Sequence, residues 1–242
     1  MTSPLDTTAL VGALGRLPRR LGIDRDEVQQ AEAFVEVAEE IFSDLGFAVR
    51  LVHPTTLRVV AHAASNGVGP EDPEGAPLPL PEAALARLRN ADALQATGRL
   101  RLARADDVVP LVADEQLVGI VEVERAHPET PLDPAASQAL ELACAMLAAA
   151  VRDRRLARDV DYIRDRLERI INAAHALILV LDAQHRIAVF NRRLCEVTGY
   201  SAEEARGEDL LRWVPVAEHG VFLEAFERAR AGESSGTLEL TL

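Results

Sequence analysis

The chain has 242 residues, 48% of them apolar and 27% charged, with a formal net charge of −13 at pH 7. That length exceeds what a single core usually organises, and the apolar fraction suffices for substantial cores, so two globular domains are expected. The acidity excludes a nucleic-acid partner, because phosphate binding needs concentrated Lys and Arg that release counterions, and it disfavours anionic membrane surfaces in the same way.

All 26 basic residues are arginine, which reads as GC-rich codon usage and a bacterial origin. Cys144 and Cys195 both fall in predicted helices and are too far apart for metal-ligand spacing, so both are expected as free thiols in a reducing cytoplasm. No secretory signal is expected at the start. The strongest apolar run, Leu142 to Val151, is about half of the roughly 20 residues that cross a bilayer. A cytoplasmic protein is the expectation, with no membrane partner.

Leu10, Leu14, Leu17 and Leu21 stand at helical spacing, interrupted by Pro18, which should end a short helix or separate two. A second helix opens on Asp24 with Glu27 as its capping pair, runs through Val28, Ala31, Val35, Ala38, Phe42 and Leu45, and is closed by Gly46. Phe47–Val52 and Leu57–His62 read as an antiparallel hairpin turning through His53, Pro54 and Thr55. From Ala63 to Pro81 prolines and glycines dominate, a long loop and a candidate lid over a pocket. A helix is expected over Glu82–Ala96, then strands at Val108–Val112 and Leu117–Glu124 with Asp114 and Glu115 at the turn. The last strand is apolar on both faces and should be central. Asp133 and Pro134 then cap a long helix.

This order, with Pro110-Leu111, the Leu117-Val118-Gly119 start of the last strand and the closing helix around Ala143, Ala148 and Val151, resembles the GAF family over about residues 28 to 151. The resemblance implies an antiparallel sheet flanked by helices, used as a sensory domain. A bilin would call for a pocket cysteine or histidine, and Cys144 falls at a packing position. The lysine-containing cyclic-nucleotide signature of some members cannot occur here. Arg50 is expected on the solvent face of its strand, with a small anionic ligand as the alternative.

No Gly or Pro interrupts the chain from Pro134 to Gly199. The first part of this long helix should pack on the sheet through Leu140, Leu142, Met146 and Leu147. Beyond it Leu156, Val160, Ile163, Leu167 and Ile170 step by four, three, four and three through a charged run, a stripe narrow enough for a coiled-coil seam. With Leu156, Ile163 and Ile170 at d and Val160 and Leu167 at a, Asp159 falls at g and Arg164 at e, a favourable pair across a parallel homodimer. Asp153, at a core position of the same rhythm, marks a splay point. An amphipathic helix lying on one of the domains is the alternative. From Pro134 to about Ala174 the helix would be about 60 Å long, enough to connect two domains.

After Ala174 two short strands, ILVL and RIAVF, flank a turn at Ala183-Gln184-His185. The run NRRLCEVTGYSAEEARG follows, and its Asn191, Thr198-Gly199-Tyr200, Ser201, Glu203-Glu204 and Gly207 resemble the PAS family closely. Asn191 and Ser201 suit helix N-caps and Gly199 a positive φ. Arg193 departs from that family's small residue. A helix from Glu218 to Ala231 leads to an alternating Leu238, Leu240 and Leu242, where a PAS sheet would want about two further strands. The chain therefore reads as the first three-fifths of such a domain, within a longer protein.

A flavin photosensor of the LOV type would need a reactive cysteine where Leu210 stands, and Cys195 reads as a core thiol. A haem-binding PAS domain would take an axial histidine from the last helix, where His219 is a weak candidate. No cofactor, catalytic group or metal site is otherwise expected. The fold class expected is α+β: a GAF-like antiparallel sheet with helices, a long connecting coiled-coil helix, and an incomplete PAS-like domain. The divisions are an N-terminal helical extension (1–27), the GAF-like domain (28–151), the linker (152–174) and the PAS-like domain (175–242). With the seam and without a catalytic motif the chain reads as a non-enzymatic sensory and dimerisation module, and the resemblance implies the sensory region of a histidine kinase. The alternatives are that of a diguanylate cyclase or transcription activator, or a haem- or small-ligand receptor.

Overall fold

A computed structural model of the protein describes residues 7–65, 74–78, 80, 82, 107–125 and 132–233. The chain divides into two units, Met1–Asp159 and Val160–Leu242. The predicted helix at Glu82–Ala96 beyond Glu82 itself, most of the Pro-rich loop and the alternating leucines at the end lie outside the described residues.

In the first unit, helix α1 (Thr7–Arg20) and helix α2 (Glu27–Ile41) precede strands β1 (Leu45–Val52), β2 (Val59–Ala64), β3 (Asp107–Ala113) and β4 (Gln116–Arg125), and helix α3 (Pro134–Ala173) follows them. The strands pair antiparallel in the order β2-β1-β4-β3. β4 therefore has a neighbour on each side, as its doubly apolar sequence requires. Phe47, Val49 and Leu51 of β1 and Val121 and Val123 of β4 share one core with Phe34 and Val37 of α2, Leu140 and Leu147 of α3, and Leu17 of α1. On the other face Val52, Val59, Val108 and Ile120 bury a second cluster with Leu57, Leu78, Leu80 and Leu117. Both faces of this sheet are thus covered.

Several local expectations are corrected. α1 runs through Pro18 to Arg20; the proline falls in the last turn, where little helix remains to be broken. α2 is capped by Asp26 and not by Asp24: the Asp26 carboxylate accepts from the Gln29 amide at 2.8 Å, and the Gln29 side chain accepts from the Asp26 amide at 3.1 Å. Two overlapping D-x-x-E/Q patterns exist here, and the helix uses the second. α2 ends at Ile41, so Gly46 lies inside β1 and does not close the helix. The second strand begins two residues later than expected because Leu57, at φ 53°, belongs to the turn. Asp114 and Glu115 both have positive φ, 48° and 62°, the backbone of a type I′ hairpin, whose twist matches the strands it joins.

Leu142 was expected in the core, yet it is 49% exposed, and Met146 only packs against the core's rim. The buried stripe of α3 is instead Ala136, Ala139, Leu140, Ala143, Cys144, Leu147, Ala148 and Val151. An 18-residue stretch of this helix is long and apolar enough by composition to cross a membrane, more than its strongest run suggested, because the alanines extend it. Its buried stripe is occupied by the sheet core.

In the second unit, after the end of α3, strands β5 (Leu179–Leu181) and β6 (Ile187–Phe190) form an antiparallel hairpin. The Asp182 carboxylate holds its turn by accepting from the amides of Gln184 (2.8 Å) and Arg186 (2.9 Å). Helices α4 (Arg192–Thr198), α5 (Ala202–Ala205) and α6 (His219–Arg230) follow, with short 3-10 turns at Leu210–Arg212 and Val216–Glu218. Ile187, Phe190, Leu194, Ala205, Leu210, Val214 and Phe222 form the core of this unit. Trp213 packs at its edge, 5.7 Å from Phe190 and 4.6 Å from Tyr200 between ring centroids.

Candidate functional site

Helix α3 carries the seam residues. Leu156, Val160, Ile163, Leu167 and Ile170 are each between 53 and 64% exposed. Five apolar side chains at one helical phase, all more than half in water, form an unsatisfied stripe on a helix otherwise covered by charge. Asp153 is also exposed and accepts from the Arg152 guanidinium at 2.8 Å and 3.0 Å.

At its C-terminal end α3 meets Asn191. This side chain is 1% exposed and uses every hydrogen-bonding position it has. Its Oδ1 accepts from the amides of Ile178 at 3.0 Å and Leu194 at 3.2 Å. Its Nδ2 donates to the carbonyls of Ala176 at 2.9 Å and Ile171 at 3.2 Å. One residue therefore caps α4 and satisfies a carbonyl of the last turn of α3, each a group with no partner inside its own helix. Asn172 works in the opposite sense, its Oδ1 accepting from the Arg192 amide at 3.0 Å, the first orphan donor of α4. Sequence reasoning missed Asn172. An asparagine in the last turn of a helix just before a strand was the available signal.

The rest of the motif is built from local bonds. The Thr198 hydroxyl donates to the Leu194 carbonyl at 2.8 Å, and Gly199 and Gly207 take φ of 82° and 83°, which a side chain would resist. Tyr200 lies half exposed on Trp213. Ser201 and Glu204 form a reciprocal capping box on α5, with the Ser201 amide donating to Glu204 at 2.9 Å and its hydroxyl at 2.8 Å. Those two donors hold the Glu204 carboxyl below the ordinary glutamate range, the backbone amide foremost. A depressed folded pKa means the box is intact above the unfolded value and is lost as pH falls through the folded one. A carbon-13 NMR titration should place the Glu204 midpoint below those of unpaired glutamates, and Ser201→Ala, which removes the hydroxyl and keeps the backbone amide, should raise it only part of the way.

Residues 165–242 match the family model of the PAS fold, the segment that contains the Asn191 joint and both glycine turns. The C-terminal part of this chain carries the PAS fold. The match begins inside α3, so Ile171 and Asn172 belong to the PAS unit by sequence as well as by hydrogen bonding. No curated protein matches the chain. Among solved structures, the chain is similar to the GAF domain of a phosphoenolpyruvate-protein phosphotransferase from Acinetobacter, at 17% identity over 60% of this chain and 94% of that one, TM-score 0.43. It is similar to the GAF domain of the potassium sensor histidine kinase KdpD from Escherichia coli at 18% identity, 62% and 99% coverage, TM-score 0.41. A free methionine-R-sulfoxide reductase from Neisseria meningitidis stands at 18% identity, 65% and 97% coverage, TM-score 0.45.

Within the PAS unit the haem candidate His219 does not fit an axial role. Its Nε2 lies 2.9 Å from the Val214 carbonyl, and a ring nitrogen facing a carbonyl must donate its N–H. The nitrogen an iron would take is thus committed to tying the start of α6 to the preceding turn. Leu210, at the position where a flavin-reactive cysteine would stand, is buried in the PAS core. Cys195 is half buried and Cys144 buried, and neither forms a disulfide. Among the described residues no group of His, Cys, Asp and Glu could hold a metal ion. A shallow cleft beside Asn172 and His175 is lined by Arg192, Arg193 and Glu196. Both arginines pair with Glu196 at 3.0 Å, and their hydrogen bonds, that of Arg193 foremost, hold its carboxyl below the ordinary range.

In the first unit Arg50 overturns the solvent-face expectation. It is 2% exposed and pairs with Glu122 of β4. The strand register places Arg50 opposite Ile120 and Ala48 opposite Glu122, so the two charges are diagonal neighbours on the second face. His62 lies across from Arg50 on β2. A polar patch is therefore set into the otherwise apolar second cluster, where buried charge is tolerated only because it is paired.

Proposed function

We propose that the chain is a cytoplasmic sensory and dimerisation module, in which a GAF-like first unit and the PAS unit bias the pairing of two copies of α3. The observation that carries this reading is the exposed stripe from Leu156 to Ile170. A second copy in parallel would cover it, and Asp159 at g then faces Arg164 at e of its partner. Ten half-exposed side chains gain about 1 kcal/mol each on burial, against an association cost of about 4–15 kcal/mol. The balance is a weak, concentration-dependent dimer, which suits a switch better than a permanent assembly.

The output is read as a histidine kinase core, the partner that the GAF-PAS resemblance implies, with a diguanylate cyclase or transcription activator in the same position as the alternative. The two units supply sensing and no chemistry of their own. A small ligand, if one is sensed by the first unit, would lie against the second face of its sheet; the committed Nε2 of His219 argues against a haem receptor.

Light-scattering mass at tens of micromolar, roughly where weak dimers populate, tests the seam. The unmodified protein should run at twice the chain mass. Ile163→Asp combined with Leu167→Asp should run as a monomer with the melting of the first unit unchanged. A monomeric unmodified protein would overturn the reading.

A further inference from the structure

Helix α3 leaves its core after Val151, and at that point two arginines tie it to the two hairpins of the sheet. Arg152 reaches Asp114, at the tip of the β3–β4 turn, at 3.2 Å. Arg155 grips Glu27, the first residue of α2, in a two-pronged pair with Nε to Oε1 at 3.1 Å and Nη2 to Oε2 at 2.8 Å. The same Nη2 donates to the Val52 carbonyl at 3.0 Å. The Arg155–Glu27 pair is mostly buried, with side chains 19% and 17% exposed, whereas Arg152 and Asp114 are more open at 35% and 68%. Arg155 is therefore the stronger grip, since partial burial limits screening and a two-pronged pair fixes orientation.

Val52 gives this grip its meaning. Its side chain is buried in the second-face cluster with Leu57, Val59, Leu78 and Leu80, while its carbonyl is held by the helix. The pairing of β1 with β2 is irregular between Leu51 and Val52, so the hydrogen-bond ladder is interrupted at this end of the strand. Leu156, the first seam residue, is the next position along α3. A change in packing on the second face thus meets the seam helix through one residue and one guanidinium.

We propose that Arg155, with Arg152 as its weaker companion, is the joint through which repacking of the second face of the sheet displaces α3 at the start of the seam. This rests on the sensory reading above and adds to it the face that is sensed and the bond that transmits. Arg155 is a positioning residue and contacts no ligand in this scheme.

The test is a coupling cycle on the full chain that needs no ligand. Leu80→Ala loosens the second face from the side opposite the helix, and hydrogen–deuterium exchange is read at residues 152–160. In the unmodified background Leu80→Ala should speed exchange there by about fivefold, within the range found for residues coupled through shared partners. In an Arg155→Gln background, Leu80→Ala should add nothing further at 152–160, although exchange at 57–64 still rises. Equal effects in both backgrounds, or no effect of Leu80→Ala on 152–160, would overturn the joint. Should Leu80→Ala fail to fold by circular dichroism, the smaller Val59→Ala takes its place with the same two outcomes. Because neither dimer mass nor ligand enters the readout, a failed joint and a failed sensory reading are told apart.

Discussion

Asn191→Ala is expected to destabilise the PAS unit strongly while the first unit keeps its stability. The substitution removes four hydrogen bonds and leaves the amides of Ile178 and Leu194 and the carbonyls of Ile171 and Ala176 without that partner. At about 1 kcal/mol or more for each buried group left unsatisfied, the loss is about 4 kcal/mol, a large part of the about 5–15 kcal/mol that holds a typical domain. Asn191→Asp should be no better. It keeps the acceptor for Ile178 and Leu194, but it turns a carboxylate towards two carbonyl oxygens that had received donors. Asn172→Ala, which loses one bond to the Arg192 amide, should cost about 1 kcal/mol. Trp213 is the chain's one tryptophan and meets Phe190 edge-to-face and Tyr200 at a tilt inside this unit. Its fluorescence reports the PAS unit alone. A shift of that transition to lower denaturant, with the far-ultraviolet circular dichroism of the first unit retained, is the expected outcome; coincident loss of both signals would show that Asn191 supports the whole chain.

The short-range half of Asn191's work was legible in the sequence, because a cap reaches only three residues to the Leu194 amide. Its bond to the Ile171 carbonyl spans 20 residues and depends on how the hairpin folds back on the end of α3, which no local pattern states. Arg50 failed for a related reason. The strand register groups it with Glu122 and His62 on one face, but whether that face meets water depends on Leu78 and Leu80, which arrive from a segment some thirty residues away whose Pro-rich composition reads as a loop. The two stripes of α3 show a different limit. Leu140, Ala143 and Leu147 repeat at the same period as Leu142, Met146 and Ala149. Periodicity therefore detects a helix with apolar faces without saying which phase meets the sheet. The sheet takes the first, and Leu142 is left exposed in phase with the seam. β4 was read correctly because a strand apolar on both faces allows only a central, covered position.

Gly119→Ala should destabilise the first unit by about 3 kcal/mol, the upper end of what overpacking usually costs. Gly119 is paired on both sides, opposite Leu51 of β1 and Leu111 of β3. A Cβ added there would stand 2.6 Å from the Arg50 carbonyl oxygen, 3.0 Å from Leu51 Cδ2 and 3.1 Å from Leu51 Cα. The first and last of these contacts are with backbone, which cannot rotate away as a side-chain end can. Relief would require β1 and β4 to separate where the buried Arg50 approaches Glu122. The substitution therefore strains the sheet ladder and the ion pair together, and the second-face cluster packed around them should loosen. The observable is a lower melting midpoint for the first unit by circular dichroism, with the Trp213 transition of the PAS unit unmoved as the internal control. Faster exchange should be concentrated at residues 48–52 and 117–123. An unchanged midpoint would mean that the strands can part at Gly119 without loss, and the close approach of β1 to β4 would then have no bearing on the stability of the sheet.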